Sequence, residues 1–104
     1  MTLINLTAAQ LAEQLKSDSI ILIDVRETHE FNAGHIDGAI LMPLSSFDPS
    51  AVPLEDGKPV VIYCARGGRS ANAVAMCQQF GVPVEQHLAE GIMGWVAAGL
   101  PVMR

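Results

Sequence analysis

The chain has 104 residues, half of them hydrophobic, which suits one compact domain with a single core, and we expect one domain over residues 1–104. Its formal net charge of −5, without any run of lysine or arginine, argues against nucleic acid as a partner because a phosphate backbone would be repelled. The N-terminus lacks the basic start and apolar run of a signal peptide, and no stretch approaches about 18 consecutive apolar residues, so we predict a soluble, cytoplasmic protein without membrane contact.

The first predicted elements are a helix and a buried strand. Thr7 and Gln10 have the spacing of a capping box, and Leu11 and Leu15 follow on one face, which predicts a helix over about residues 7–16. An apolar, largely β-branched run without polar alternation then begins at residue 20 and ends at residue 25. Such a run is typical of a strand that helices cover on both faces.

The middle of the chain alternates short elements with turns. Residues 27–33 favour a helix, Gly34 and Gly38 bound a turn, and residues 39–41 favour a short strand. A loop rich in proline, serine and aspartate follows, from residue 43 to residue 59, and has room for a helical turn. Residues 59–63 then repeat the signature of a buried strand.

The last part of the chain predicts a helix, a strand and a helix. Residues 70–80 have small and apolar residues at helical spacing, and Gly81 stands where a glycine commonly ends a helix. Residues 82–88 favour a strand and residues 91–98 a helix. The order of the elements predicts the α/β class, with a parallel sheet between layers of helices.

Cys64 ends one predicted strand and is followed by a loop that leads into the next helix. Ligands of parallel α/β sheets gather at the carboxyl ends of strands, so this position favours a functional role. Backbone N–H groups of the loop and of the helix start can form a cradle for negative charge, and Gly67 and Gly68 allow the backbone to curl tightly. The thiolate is the reactive form of cysteine, and we predict that Cys64 is a nucleophile.

Arg66 and Arg69 place positive charge beside this cysteine in an otherwise acidic chain. Lowering the thiol pKa from about 8.5 to about 7 takes roughly 2 kcal/mol, of which a helix end supplies about 1 kcal/mol. Loop amides and guanidinium groups can supply the rest and can attract an oxyanion. The alternative is a buried cysteine that acts as a small hydrophobe, with both arginines in solvent. The two glycines, the two arginines and the strand–loop–helix context together favour the functional interpretation.

Several stretches resemble, in the expected order, sequence motifs of the rhodanese family. The loop Cys64-Ala-Arg-Gly-Gly-Arg69 resembles its C-x-x-G-x-R active-site loop. Residues 24–30 and 34–39 resemble its D-V-R-x-x-x-E and G-H-I-x-G-A elements. Residues 90–102 resemble its C-terminal signature, although Glu90 stands where the family commonly has a glycine. The resemblance covers residues 3–103.

This resemblance implies a three-layer α/β/α fold with a five-stranded parallel sheet, and a sulfurtransferase that works through a cysteine persulfide. Cys64 would be the catalytic residue and would attack thiosulfate or a related sulfane donor; a small thiol, a protein thiol or cyanide would accept the sulfur. Arg66 would orient the anionic donor, and Arg69 would brace the loop or add positive charge. No metal or organic cofactor is expected. The predicted substrate-binding residues are Ala65, Arg66, Gly67, Gly68, Arg69 and Ser70.

Two alternatives stay open. Cysteine-dependent phosphatases of related architecture also use a cysteine, loop amides and an arginine, but in a loop one residue longer. A phosphoryl group presents a tetrahedron of oxygens and needs a wider ring of donors than one outer sulfur atom does, so the six residues 64–69 favour sulfur. The second alternative is a non-catalytic or sulfur-relay module that binds a partner protein, and members of that kind often lack the cysteine.

The remaining polar residues are expected to have structural roles. Asp24, Arg26 and Glu30 should anchor the backbone and a turn, and His35 should be a turn or packing residue. Cys77 lies on the apolar face of its helix and should pack in the core rather than resolve an oxidised Cys64. The two cysteines form no CxxC pair and no zinc-ligand pattern with the three histidines, so we predict free thiols, no metal site and a reducing compartment.

Overall fold

The computed structural model describes residues 2–104. Strands β1 to β5 are Ile4–Leu6, Ile21–Asp24, Ile40–Leu41, Val60–Tyr63 and Gln86–Leu88. Helices α1 to α4 are Ala8–Lys16, Thr28–Ala33, Gly68–Gln79 and Gly91–Ala97. Two short 3₁₀ turns, Leu44–Ser46 and Pro49–Ala51, occupy the long loop between β3 and β4. Within the described residues, no helix has the length and apolarity needed to cross a membrane.

The five strands form one parallel sheet in the order β1-β5-β4-β2-β3, which confirms the predicted α/β class and the five-stranded parallel sheet. Strand β4 is therefore the central strand, with β5 and β2 as its neighbours. The carboxyl end of β4 lies at the middle of one sheet edge, where loops from both sides can reach it.

Helices cover both faces of the sheet, because the residues of the central strands are apolar in both directions. On one face, Ile62 of β4 packs with Val74 and Cys77 of α3. On the other face, Tyr63 of β4 packs with residues of α1 and α4, among them Leu11 and Trp95. Together these layers give the three-layer arrangement.

The predicted helices agree closely with the structure. The capping box that predicted α1 is present: the Thr7 hydroxyl accepts from Gln10 N at 3.1 Å and the Gln10 side chain accepts from Thr7 N at 2.9 Å. Helix α3 begins at Gly68 rather than at the predicted residue 70, with Gly67 as its N-cap. The loop after Cys64 is therefore shorter, and the helix start closer to Cys64, than the sequence indicated.

Two strands differ from the element prediction. Strand β5 begins at Gln86 rather than at residue 82, because the Val82 N–H donates to Cys77 O at 2.9 Å and so completes the end of α3 instead of pairing with a strand. Strand β1 has only the residues Ile4–Leu6 and lies at the sheet edge, where it pairs with β5. Its short length gave no recognisable pattern, and only the family resemblance implied a fifth strand.

Candidate active site

Cys64 follows directly on the last residue of β4 and is 1% exposed. Its sulfur is surrounded by groups from the loop and the start of α3. Gly67 N donates to Sγ at 3.1 Å, Ser70 N donates at 3.3 Å, and the Ser70 hydroxyl oxygen lies 3.5 Å away. The structure thus brings the predicted nucleophile together with the predicted amide cradle.

Hydrogen bonding controls the ionisation of this thiol. Burial alone raises the pKa of Cys64, because a charged thiolate is poorly solvated inside the protein. Hydrogen bonds from the Ser70 hydroxyl and from the backbone N–H groups of Ser70, Gly67 and Arg66 act in the opposite direction and outweigh burial. The net pKa of Cys64 lies below the ordinary thiol value, which favours the nucleophilic form.

The tight turn before α3 depends on Gly67. This residue has a φ of +108°, which side chains other than glycine rarely allow. A Cβ atom at this position would also collide with the carbonyl oxygen of Ala89, in the connection between β5 and α4. The conformation that aims the Gly67 N–H at sulfur therefore requires glycine.

The N-terminus of α4 holds the opposite side of the loop. Ile92 N donates to the Cys64 carbonyl at 2.9 Å, and Met93 N donates to the Ala65 carbonyl at 3.1 Å. Gly91 makes this approach possible, because a Cβ there would collide with the Ala65 carbonyl. These contacts turn carbonyls away from the sulfur and leave the loop N–H groups free to face it.

The two loop arginines have different surroundings. Arg69 forms a two-point ion pair with Glu30 of α2, with N···O distances of 2.7 and 3.0 Å. The same pair lowers the pKa of Glu30 to about 2. Arg66 is exposed on the loop. Of the two roles predicted for Arg69, the geometry supports bracing of the loop. Arg66, in contrast, is exposed to solvent, where it can contact an anion.

A buried ion pair between Arg26 and Asp24 lies at the end of β2, next to the central strand β4. Arg26 donates to both carboxylate oxygens of Asp24, the shortest distance being 2.8 Å, and also donates to the Gly34 carbonyl at 2.7 Å. The Tyr63 hydroxyl accepts from Ile36 N at 3.1 Å, and the Arg26 guanidinium lies 5.6 Å from the centre of the Tyr63 ring. These contacts fit the anchoring role predicted for Asp24 and Arg26.

Two other side chains have the roles expected from the sequence. His35 stacks on Phe31 with a centroid distance of 3.8 Å, and its Nδ1 lies 3.0 Å from the Phe31 carbonyl, so it is a turn residue. Cys77 is fully buried in the core beneath α3, and burial raises the pKa of its thiol. Both cysteines are free thiols. In the described part of the chain, no three or more His, Cys, Asp or Glu side chains are grouped so as to hold a metal ion.

Sequence reasoning missed two residues next to the site, His87 of β5 and Asn5 of β1. His87 is 4% exposed, and its Nδ1 lies 2.8 Å from the Ser70 hydroxyl oxygen. Its Nε2 lies 2.7 Å from Asn5 Oδ1. The available signal was a histidine inside a short strand between apolar segments, which is a weak signal because a single histidine has many structural uses.

A sequence model described as "Rhodanese-like domain" matches residues 7–98 of the chain. An uncharacterized protein of Synechocystis sp. is 42% identical over 98 residues, a match that covers 94% of the chain and 53% of that relative. This chain therefore spans about half the length of the Synechocystis protein. A protein of Allochromatium vinosum named "Sulfurtransferase" is 31% identical over 87 residues and is matched over 81% of its own length, and over 84% of this chain.

Solved structures agree with the sequence comparisons. The crystal structure of a rhodanese-related protein from Thermoplasma volcanium superimposes with a TM-score of 0.80 and 34% sequence identity. The superposition covers 95% of this chain and 96% of that chain. The likeness thus extends over nearly the full length of both chains.

Proposed function

Because the chain belongs to the rhodanese-like domain family, we propose that it is a sulfurtransferase that carries a sulfane sulfur atom as a persulfide of Cys64. The observation that carries this proposal is the ring of hydrogen-bond donors around the Cys64 sulfur, formed by Gly67 and Ser70. A relative named "Sulfurtransferase", matched over most of its length, supports the same class of reaction.

In the first half-reaction, the Cys64 thiolate attacks the outer sulfur of thiosulfate. A bond forms between Sγ and that sulfur, the sulfur–sulfur bond of thiosulfate breaks, and sulfite leaves with the bonding electron pair. In the second half-reaction, an acceptor thiolate or cyanide attacks the outer sulfur of the persulfide. The Cys64–sulfur bond then breaks, and its electrons return to Cys64 as thiolate.

The proposed binding residues are those of the loop and helix start. The N–H groups within Ala65, Arg66, Gly67, Gly68, Arg69 and Ser70 would stabilise the negative charge of the persulfide. Exposed Arg66 would attract and orient the anionic donor at the loop surface. Arg69 would act by fixing the loop to α2 through Glu30. Both half-reactions are nucleophilic displacements at sulfur and need no external oxidant or reductant, so the proposal requires no metal and no organic cofactor.

A cysteine-dependent phosphatase is the enzymatic alternative, because the same elements would also receive a phosphoryl group. Two observations weigh against it. The Cys64-to-Arg69 loop is short, and both outer nitrogens of Arg69 are held by Glu30. A non-catalytic binding module is the other alternative, and the lowered pKa of Cys64 weighs against it, since a binding surface gains nothing from a reactive thiol.

The physiological setting is also part of the proposal. Two free thiols suit a reducing compartment, which supports a cytoplasmic location as part of the proposal. In that setting the donor is thiosulfate or another sulfane compound, and the acceptor is a small thiol or a protein thiol.

The decisive experiment measures the intact mass of the protein after incubation with thiosulfate and gel filtration. We expect the wild type to gain the mass of one sulfur atom and Cys64→Ser to gain none. Subsequent cyanide should remove the added mass and release thiocyanate. Cys77→Ser is the matched control and should load sulfur as the wild type does, because Cys77 is buried in the core.

The alternatives predict other results in the same protein sample. Absence of a mass gain from thiosulfate and from other sulfane donors would refute the sulfurtransferase proposal. Hydrolysis of an aryl phosphate that depends on Cys64, without any sulfur gain, would assign the site to phosphoryl transfer instead.

A further inference from the structure

A continuous line of hydrogen-bonding groups leads from Cys64 across the sheet to its edge strand. The Ser70 hydroxyl oxygen lies 3.5 Å from Cys64 Sγ and 2.8 Å from His87 Nδ1. His87 Nε2 lies 2.7 Å from Asn5 Oδ1. Cys64, Ser70 and His87 are buried, so water does not compete for these contacts.

Asn5 determines which nitrogen of His87 carries a hydrogen. The Oδ1 atom of an asparagine accepts hydrogen bonds but cannot donate one, so His87 Nε2 must be protonated. In the neutral imidazole, Nδ1 is then an acceptor, and the nearest donor to it is the Ser70 hydroxyl. Asn5 therefore prepares His87 to receive a proton at Nδ1.

The single hydrogen of the Ser70 hydroxyl is shared among three possible acceptors, which are His87 Nδ1 at 2.8 Å, the Gly67 carbonyl at 3.1 Å and Cys64 Sγ at 3.5 Å. While His87 is neutral, its Nδ1 makes the shortest of these contacts and competes with the sulfur for the hydrogen. Once Nδ1 is protonated, it donates to the Ser70 oxygen, and the hydroxyl hydrogen is left to the Gly67 carbonyl and to Cys64, of which the charged thiolate is the stronger acceptor. The charge of His87 thus affects how strongly Ser70 stabilises a thiolate.

We propose that His87 is a positioning residue that takes up, through Ser70, the proton released when Cys64 ionises. The Cys64 thiol proton passes to the Ser70 oxygen while the Ser70 hydroxyl proton passes to His87 Nδ1. The products are a thiolate, an unchanged serine hydroxyl and an imidazolium, so protons and charge balance without any further reactant. The inference rests on the proposed function, since it concerns the same thiol.

The surroundings leave Cys64 as the natural charge partner of His87. Burial lowers the pKa of His87, as it does for a histidine without a counter-charge. Of the titratable groups on the elements packed around it, α3 contributes Arg69, which is paired with Glu30, and Cys77, whose pKa burial raises. Strand β4 contributes Cys64 at its end, and β1 contributes the neutral Asn5. The glutamates that flank β5, Glu85 and Glu90, are exposed.

The first test measures the titration of the His87 ring by NMR in the wild type and in Cys64→Ser. A thiolate partner stabilises the imidazolium, so we expect the His87 pKa to be at least one unit higher in the wild type. Coupling between two sites is reciprocal, and a histidine whose ionisation is independent of Cys64 would titrate alike in both proteins. Equal His87 pKa values in the two proteins would overturn the proposal.

The second test measures the pH dependence of Cys64 alkylation in His87→Gln and in Ser70→Ala, in a Cys77→Ser background. We expect alkylation at pH 6.5 to be about tenfold slower than in the parent protein and to converge with it near pH 10, because a rise of one pKa unit removes about nine-tenths of the thiolate. His35→Gln is the control and should leave the profile unchanged, since His35 bonds to the Phe31 carbonyl instead. Unchanged profiles in both His87→Gln and Ser70→Ala would overturn the proposal.

These measurements test the proton transfer from Cys64 to His87 separately from the proposed sulfurtransferase function. Coupled titration of Cys64 and His87 in a protein that takes no sulfur from thiosulfate would support the proton transfer and refute the sulfurtransferase proposal. Sulfur loading in a protein without that coupling would refute the proton transfer and leave the sulfurtransferase proposal standing.

Discussion

The ion pair between Arg69 and Glu30 connects the Cys64 loop to α2, and its effect on Glu30 has a consequence for stability. The Arg69 hydrogen bonds lower the pKa of Glu30 from 4.5 to about 2, against the opposing effect of burial. A carboxyl group whose pKa is lower in the folded protein stabilises the fold at pH values above its unfolded pKa. This contribution is complete above about pH 5 and is lost as the pH falls towards about 2.

We expect Glu30→Gln to lower the free energy of unfolding by about 1 kcal/mol at pH 7, since the partly exposed side chains, 35% for Arg69 and 26% for Glu30, are screened by water. The difference from the wild type should shrink between pH 5 and pH 2. Urea unfolding at a series of pH values measures it. Glu13→Gln, which removes an exposed pair with Lys16, is the control and should change little. A difference that persists undiminished at pH 2 would contradict this account.

At the scale of elements, the site depends on how α3 and α4 begin. Helix α3 starts immediately after Gly67 and aims N–H groups at the sulfur, whereas α4 starts at Gly91 and binds the loop carbonyls. Both starts need a glycine, because a Cβ would collide with a neighbouring carbonyl in each case. The loop conformation is thus fixed by two helix N-termini that act from opposite sides.

Gly67 and Gly68 provide a matched pair for testing this arrangement. We expect Gly67→Ala to destabilise the protein by about 2–4 kcal/mol, because the positive φ and the collision with the Ala89 carbonyl both add strain. Gly68→Ala meets nothing within 4 Å and lies in the first turn of α3, so it should be neutral or stabilise by up to about 1 kcal/mol. Thermal and urea unfolding measure both. Equal effects of the two substitutions would contradict the proposed backbone requirement.

At the scale of the whole molecule, one sheet separates two apolar cores and joins them through its central strands. Val74 of α3 lies in one core and Trp95 of α4 in the other. Strand β4 contributes residues to both, such as Ile62 on one face and Tyr63 on the other. Loss of either core therefore leaves one face of the sheet uncovered, and we expect the molecule to unfold as one unit.

Val74→Ala tests this cooperativity. We expect a loss of about 2 kcal/mol, because the side chain is 1% exposed and its removal leaves a cavity. Fluorescence of Trp95, on the opposite face, and far-UV circular dichroism should report the same shifted transition. Val96→Ala is the matched control, with 54% of that residue exposed, and should change stability by less than about 0.5 kcal/mol. Separate transitions for the two probes would show that the cores unfold independently.

The sequence by itself determined the class of fold and the position of the candidate nucleophile. Long apolar runs at β2 and β4 can only be buried on both faces, and the Thr7–Gln10 pair marks a helix start through contacts three residues apart. Cys64 at a strand end, followed by glycines and a helix, predicts an anion cradle through local geometry. These features depend on neighbours along the chain, which is why they could be predicted.

Only the tertiary structure decided which distant side chains form the hydrogen-bond network around Cys64 and its loop. His87 and Asn5 are 82 residues apart and meet because β1 and β5 are paired, and Arg69 finds Glu30 because α2 and α3 begin at the same edge of the sheet. The direction of each side chain follows from strand pairing and helix packing, which no local pattern encodes. The chemistry of the loop was therefore predictable from its own residues, whereas the network around it was not.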